Sequence, residues 1–440
     1  MKTPSKSMIK RLITVLLSVL FTATCPFSLM TFAQSDSKLP VLKLGNQSQL
    51  KFSASAQFWL RATELNPGTT IQGEAQDYVS DVSIRRLRLA ISGNVTGRWY
   101  VKFQLGANNL NYINNNSTLK ILDLETSYRF ADAFELGGGK NGYVGLSRYA
   151  APATCTGLSL DYPTFIMPTV NISDDLLRKF SLYAKGYLGQ FAYRAVVARP
   201  MVVSQTELSE QTNFYSNFPQ LQYSAYLSYQ FFERESQKSA YQVATYLGSK
   251  KVMNLNAGFL YQSDALSGLG ALQDTVSYDM LLLAMDFFLD ISLDAHNYRS
   301  ITAYLGYFDY DFGQDYIRHY GTNNPANGVT QGSLSGAGNS FPTTGTGQIL
   351  YAQFGYKTHI SHNEKIPALQ PFFSAQYARY DALSDPMIMC DYGINILLNG
   401  QNSKLTLGVQ NRPIYSNQNN DYSQVTDRMN MWVFQYQIKL

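Results

Sequence analysis

The sequence predicts an all-β protein, a transmembrane antiparallel barrel of about 16 strands with one connection folded inward as a constriction. Three observations carry that expectation. Apolar and polar residues alternate in segments of about ten residues from residue 50 to the last residue, separated by turn residues, which is the pattern of a strand with one face in lipid and one in water. Composition fits the same picture: 45% of the 440 residues are apolar and 14% aromatic, but only 15% are charged, against roughly 25% in ordinary soluble domains. The 32 Tyr and 25 Phe with a mean hydropathy of −0.18 exclude both a disordered chain and a bundle of transmembrane helices. Third, the chain begins with an export signal.

That signal is read from Lys2, Lys6, Lys10 and Arg11, an apolar stretch from Leu12 to about Leu29, and Thr31-Phe32-Ala33 before Gln34, with cleavage expected after Ala33. Two alternatives stand beside it: a lipoprotein signal with Cys25 lipidated, which lacks the usual small and aliphatic residues at Thr24 and Thr22, and a retained anchor. Residues 34–49 are expected to be a short periplasmic segment and residues 50–440 a single outer-membrane barrel. Four of the 35 basic residues lie in the signal and no acidic residue does, so the net charge of +4 belongs to the leader and the mature chain is formally neutral. A general nucleic-acid binder is excluded on that ground. Cys155 and Cys390 form no CxxC or metal-ligand spacing, and no bridge between them is expected.

Strands are expected near 50–61, 80–93, 97–107, 120–130, 134–140, 178–188, 190–199, 221–232, 252–263, 277–290, 299–311, 348–358, 368–381, 389–398, 403–414 and 429–440. In the first, Leu50, Phe52, Ala54, Ala56, Phe58 and Leu60 alternate with Lys51, Ser53, Ser55, Gln57, Trp59 and Arg61. A soluble sandwich would alternate too. The barrel is favoured by the export signal, by charged polar faces, and by connections that alternate short and long, as periplasmic turns and outer loops do. Tyr241–Leu247 could form a seventeenth strand, but an odd count would put 263–275 on the periplasmic side, so 233–251 is read as a long periplasmic connection. The last strand carries Trp432, Phe434, Tyr436, Ile438 and Leu440 on one face, similar to the terminal signal read by the outer-membrane assembly machinery.

The chain resembles the phosphate-selective porin O and P family over most of its mature length. The resemblance is carried by Ser83-Ile-Arg-Arg-Leu-Arg-Leu-Ala-Ile-Ser-Gly93, Leu136-Gly-Gly-Gly-Lys140, Gly145-Leu-Ser-Arg148, Tyr307-Phe-Asp-Tyr-Asp-Phe-Gly313 and Gly345-Thr-Gly347. It implies a sixteen-stranded outer-membrane porin, a homotrimer, with a loop folded into the lumen. It does not hand over the family's arginine and lysine ladder residue by residue, so selectivity is argued from this chain's own charges.

Alternation turns Arg86 and Arg88 inward on the second strand, Arg98 and Lys102 on the third, and Lys179, Lys185 and Arg194 on the sixth and seventh, with Lys140 ending the fifth. Between residues 85 and 199 there are 14 basic and 7 acidic residues, an excess that attracts anions in a confined channel. Asp123 and Glu125 are lumen counter-charges that either moderate the field or pair with Arg88 and Lys102 in the wall. Residues 141–177, with Arg148, Asp161, Asp174 and Asp175 and many aromatic and proline residues, are the expected lumen loop; an outer loop at a trimer contact is the alternative.

No catalytic, cofactor or metal site is expected. His296, His319, His359 and His362 fall in turns or loops without zinc spacing, and Gly137-Gly-Gly-Lys140 lacks the rest of a phosphate loop. Asp309, Asp311 and Asp315 lack the glutamate of a calcium loop and read as an acidic strand end. The function expected is passive diffusion of small hydrophilic solutes, anions such as phosphate in particular, across the outer membrane. The alternative is an adhesin or scaffold that presents loops 312–347 and 200–220. A plugged 22-stranded transporter needs more chain than this.

Overall fold

The computed structural model describes residues 41–43, 49–115, 117–201, 208–214, 220–330, 335–359, 366–418 and 421–440, with backbone alone at 41–43, 416–418 and 421–423. The expected signal and residues 34–40 and 44–48 lie outside these, as do His362 and much of the 200–220 loop. The chain divides after Val41, and the architecture that follows is that of residues 42–440.

Sixteen long strands form the wall: β1 (Gln49–Glu64), β2 (Tyr78–Asn94), β3 (Trp99–Leu110), β4 (Lys120–Ala131), β5 (Phe134–Asn141), β6 (Lys179–Leu188), β7 (Phe191–Arg199), β8 (Gln222–Gln230), β9 (Val252–Leu269), β10 (Thr275–Ser292), β11 (Arg299–Asp311), β12 (Gly347–His359), β13 (Ala368–Tyr380), β14 (Met387–Asn399), β15 (Ser403–Gln418) and β16 (Asp421–Lys439). Each pairs antiparallel with its sequence neighbours, and β16 returns to β1, with Ser55 opposite Lys439 and Thr63 opposite Met431. Closure leaves no strand edge unpaired, which is what a spanning sheet needs where no water can satisfy the backbone. The rim that carries Lys439 is the periplasmic one in bacterial barrels.

Alternation decides which face each residue takes. Leu60, Val82, Leu89, Leu124, Leu182, Leu283, Leu305, Phe354 and Phe373 point outward and are exposed, forming the surface that lipid covers. Near the periplasmic rim an aromatic girdle closes this belt: Trp99 lies edge-on to Tyr128 at 4.9 Å, Tyr128 to Phe130 at 4.7 Å, and Phe191 to Tyr229 at 5.0 Å. The hairpin between β9 and β10 departs from the expected long outer loop. Its strands run on to Leu269 and Thr275 and the turn shrinks to five residues, because both faces are solvated above the bilayer and apolar alternation fades while pairing continues.

The inward face is not an open pipe. Three connections fold into it: the loop between β5 and β6 from the outer side, the connection between β8 and β9 from the periplasmic side, and part of the loop between β11 and β12, whose Asn339, Phe341, Thr343 and Thr344 are buried. That third segment was a candidate partner-binding loop on sequence grounds. Its packing against the wall, with Asn323 donating to Ser83 Oγ at 2.8 Å, removes much of it from the outer surface.

Candidate functional site

The loop between β5 and β6 is anchored by shape. Leu158 and Leu160 enter hollows that only glycine leaves open: a Cβ on Gly355 would lie 2.5 Å from Leu158 Cδ1, and one on Gly408 2.7 Å from Leu160 Cγ. They pack there with Trp59, Phe372, Met431 and Val433. Phe165 meets Phe308 edge-on at 5.0 Å, and Tyr149 stacks on Tyr304 at 4.3 Å. Taking a leucine or phenylalanine side chain out of water contributes about 1.5–3 kcal/mol, so several such contacts fix this loop in the lumen.

The connection between β8 and β9, residues 231–251, enters from the other side and joins it. Gln242 N donates to Ala151 O and Ala153 N to Gln242 O, both at 2.8 Å, so the two inserts share a short ladder inside the barrel. Arg148 forms a bidentate ion pair with Glu235 and lies 3.6 Å over the Phe288 ring. Thr245 Oγ1 donates to Asp290 at 3.0 Å on the opposite wall. What sequence reading treated as a periplasmic connection is therefore an internal strap. Ala240 and Ala244 are fully buried in it, and the apolar run that suggested a seventeenth strand is the packing face of this insert.

No family model matches the sequence, and no curated protein matches it. Solved structures do. OmpF of Salmonella typhi, in complex with daunomycin, is 8% identical, with 91% of this chain and 100% of that chain covered at a TM-score of 0.51. The outer membrane channel DcaP of Acinetobacter baumannii is 11% identical, with the same coverages and TM-score. The fold is that of outer-membrane porins.

Within this porin fold the inserts border a cavity of about 70 Å³ against β2 and β3, lined by Arg85, Arg86, Arg88, Arg178, Tyr162 and Tyr241. A β-bulge builds it. Opposite Gln57 and Phe58 the register of β2 slips by one, so the consecutive residues Arg85 and Arg86 both turn inward. Arg85 Nε donates to Asp161 at 2.9 Å and Arg86 pairs with the other oxygen of the same carboxylate. Arg85 was missed on sequence grounds because strict alternation sends it to lipid.

Arg88 differs from its neighbours. It is buried and donates to Asn108 Oδ1 at 2.6 Å and to the Leu87 and Ala107 carbonyls at 2.7 and 3.0 Å, while its Nε has no partner and no carboxylate meets it among the described residues. Arg178, also unforeseen as a lining residue, reaches Asp123 at a long 3.4 Å and Gln104 at 3.2 Å.

The other predicted residues are placed as follows. Lys102 is on the wall and pairs with Asp123 at 2.8 Å, while Glu125 accepts from Tyr183 at 3.1 Å rather than holding a cation. Lys140 meets Asp175 at 2.9 Å. Lys185 pairs with Glu135 at 3.1 Å and donates to Gln237 O at 2.7 Å. Lys179 donates to Thr169 and Gln222, and Arg194 to Ala240 O at 2.9 Å. Arg148, within the inward loop, and Lys179, Lys185 and Arg194, on the wall, are thus buried at the inserts and help to anchor them. Arg98 is a correction of another kind: it lies in the turn between β2 and β3, exposed, because the third strand begins at Trp99.

Proposed function

We propose that the protein is an outer-membrane porin for small hydrophilic solutes, anion-leaning, and that solutes pass along β2 and β3 through the arginine-lined space. The observation that carries this reading is Arg88, a buried guanidinium without a carboxylate partner among the described residues, beside three further arginines that share only Asp161 and Asp123. A net positive field in a narrow low-dielectric space concentrates anions and repels cations. Planar forks suit phosphate or carboxylate groups. Phosphate is the anion that the family resemblance favours. The reading includes export by the N-terminal signal, insertion by the outer-membrane assembly machinery through the last strand, and assembly as a homotrimer in outer-membrane lipid.

The test is planar-bilayer recording of the purified full-length mature protein under a salt gradient. Ion current with a reversal potential favouring anions is expected. Absence of current overturns the porin reading, and a cation-favouring potential overturns the anion preference alone.

A further inference from the structure

We infer that the strap between β8 and β9 is the closing element of this passage and that Tyr241, at its tip, is the residue that blocks it. The inference rests on the porin reading above. Along the wall, the pair Ala90–Gln104 and its neighbour Asp123 lie one step closer to the periplasmic rim than Arg88–Gly106. Tyr241 occupies that level. Its hydroxyl donates to Asp123 Oδ1 at 2.5 Å, its ring lies 4.1 Å beneath Lys102 Nζ and 5.0 Å from the Arg178 guanidinium, and it borders the arginine cavity. Toward the periplasmic rim from the ring, Ser92, Tyr100 and Gln104 are only half-buried. The ring therefore stands between the arginines and the periplasmic mouth.

The strap is held unevenly, and that makes a tip movement the cheapest way to open the passage. Its flanks are fixed by the Arg148–Glu235 ion pair, by Lys185 and Arg194 on the carbonyls of Gln237 and Ala240, and by the ladder at Gln242. Apart from its packing on the Tyr143–Tyr183 cluster, the Tyr241 side chain is held by one hydroxyl bond and two cation–ring contacts. Each is replaceable by water or by an entering anion that engages Arg178 or Lys102. Gly142 gives the ring its berth, since a Cβ there would lie 2.8 Å from the Tyr241 oxygen.

Single-channel recording of the wild type, Tyr241→Ala and Tyr241→Phe tests this, with heat-modifiable gel mobility checking that each barrel is folded. Tyr241→Ala is expected to raise single-channel conductance several-fold. Tyr241→Phe, which keeps the ring and loses only the bond to Asp123, is expected to open more often at unchanged amplitude, and it decides the matter if the alanine variant does not fold. Wild-type behaviour in both variants overturns the closing role and leaves the porin reading intact. No current from any of the three overturns the porin reading and the closing role with it.

Discussion

The two halves of the wall use the same alternating code to make opposite interiors. From β1 to β7 the inward residues include Arg61, Asp81, Arg85, Arg86, Arg88, Lys102, Asp123, Glu125, Lys179, Lys185 and Arg194, and the charges are matched partly between neighbouring strands, as in Arg61–Asp81, Lys102–Asp123 and Lys185–Glu135, and partly to the inward loop, as in Arg85 and Arg86 with Asp161. From β9 to β14 the inward residues include Leu260, Met280, Leu282, Phe288, Tyr304, Phe308, Tyr310, Tyr351, Tyr380 and Met389, which form one continuous core with Tyr149, Phe165 and Ile166 of the inward loop. A barrel lumen is thus divided into a packed half that holds the plug and a charged half that leaves space. Apolar contact is nondirectional and fills volume, whereas arginines and carboxylates keep fixed separations and leave gaps that water or an anion can occupy.

The largest effect is expected where the packed half is emptied. Phe165 is fully buried between Phe308 and Tyr351, and its carbonyl accepts from Tyr310 at 3.1 Å. Phe165→Ala should cost about 3–5 kcal/mol, as for large-to-small changes in well-packed cores. Thermal unfolding in detergent reads it directly. A variant as stable as the wild type would break the comparison, since the packed half would then not be a core.

Within the charged half the comparison sharpens to one of partners. Arg88→Gln removes a cation that no carboxylate meets among the described residues, whereas Lys140→Gln removes one that shares Asp175 with Lys120. Both change formal charge by one unit. Only Arg88→Gln is expected to move the reversal potential substantially toward cations, because the field of Lys140 is partly offset by its contact with Asp175. Equal shifts would mean that total lumen charge, and not the unpaired guanidinium, sets selectivity.

Sequence alone reveals the wall and little of what fills it. Strand periodicity is local, so the strand order, the count and the inward loop are readable from residues a few positions apart. Three features escape for physical reasons. The bulge that turns Arg85 inward breaks the parity on which facing is assigned. The strap reads as a connection because its partners lie far along the chain, Arg148 being 87 residues from Glu235. Pairing of the predicted cations depends on where the inserts land, so the nine residues expected along the channel, seven of them chosen by alternation, include some that line space, several that anchor plugs, and one, Arg98, that sits in a turn. The apolar character of Tyr241–Leu247 was the available signal for the strap, since an exposed periplasmic loop has no need of it.

The packed half also differs at its outer rim, and there the expected effect is smallest. With few charges inside, this half collects carboxylates on its outward edge: Asp309 and Asp311 at the end of β11, Asp315 just beyond, and Asp381 after β13. Burial first, then repulsion from Asp315, Asp311 and Asp309, pushes the Asp381 carboxyl above its ordinary range. The fold therefore favours the neutral acid, and that contribution is present at low pH and is lost as pH rises through the raised value. Asp381→Asn stays neutral throughout. It should unfold at a slightly higher temperature than the wild type at pH 7, by no more than about 0.5 kcal/mol after solvent screening. The difference should vanish below about pH 3, where the wild-type carboxyl is protonated in folded and unfolded chains alike. Added salt should shrink the gain at pH 7, because the repulsion acts through water; a gain insensitive to salt would assign it to burial of the side chain rather than to the acidic rim.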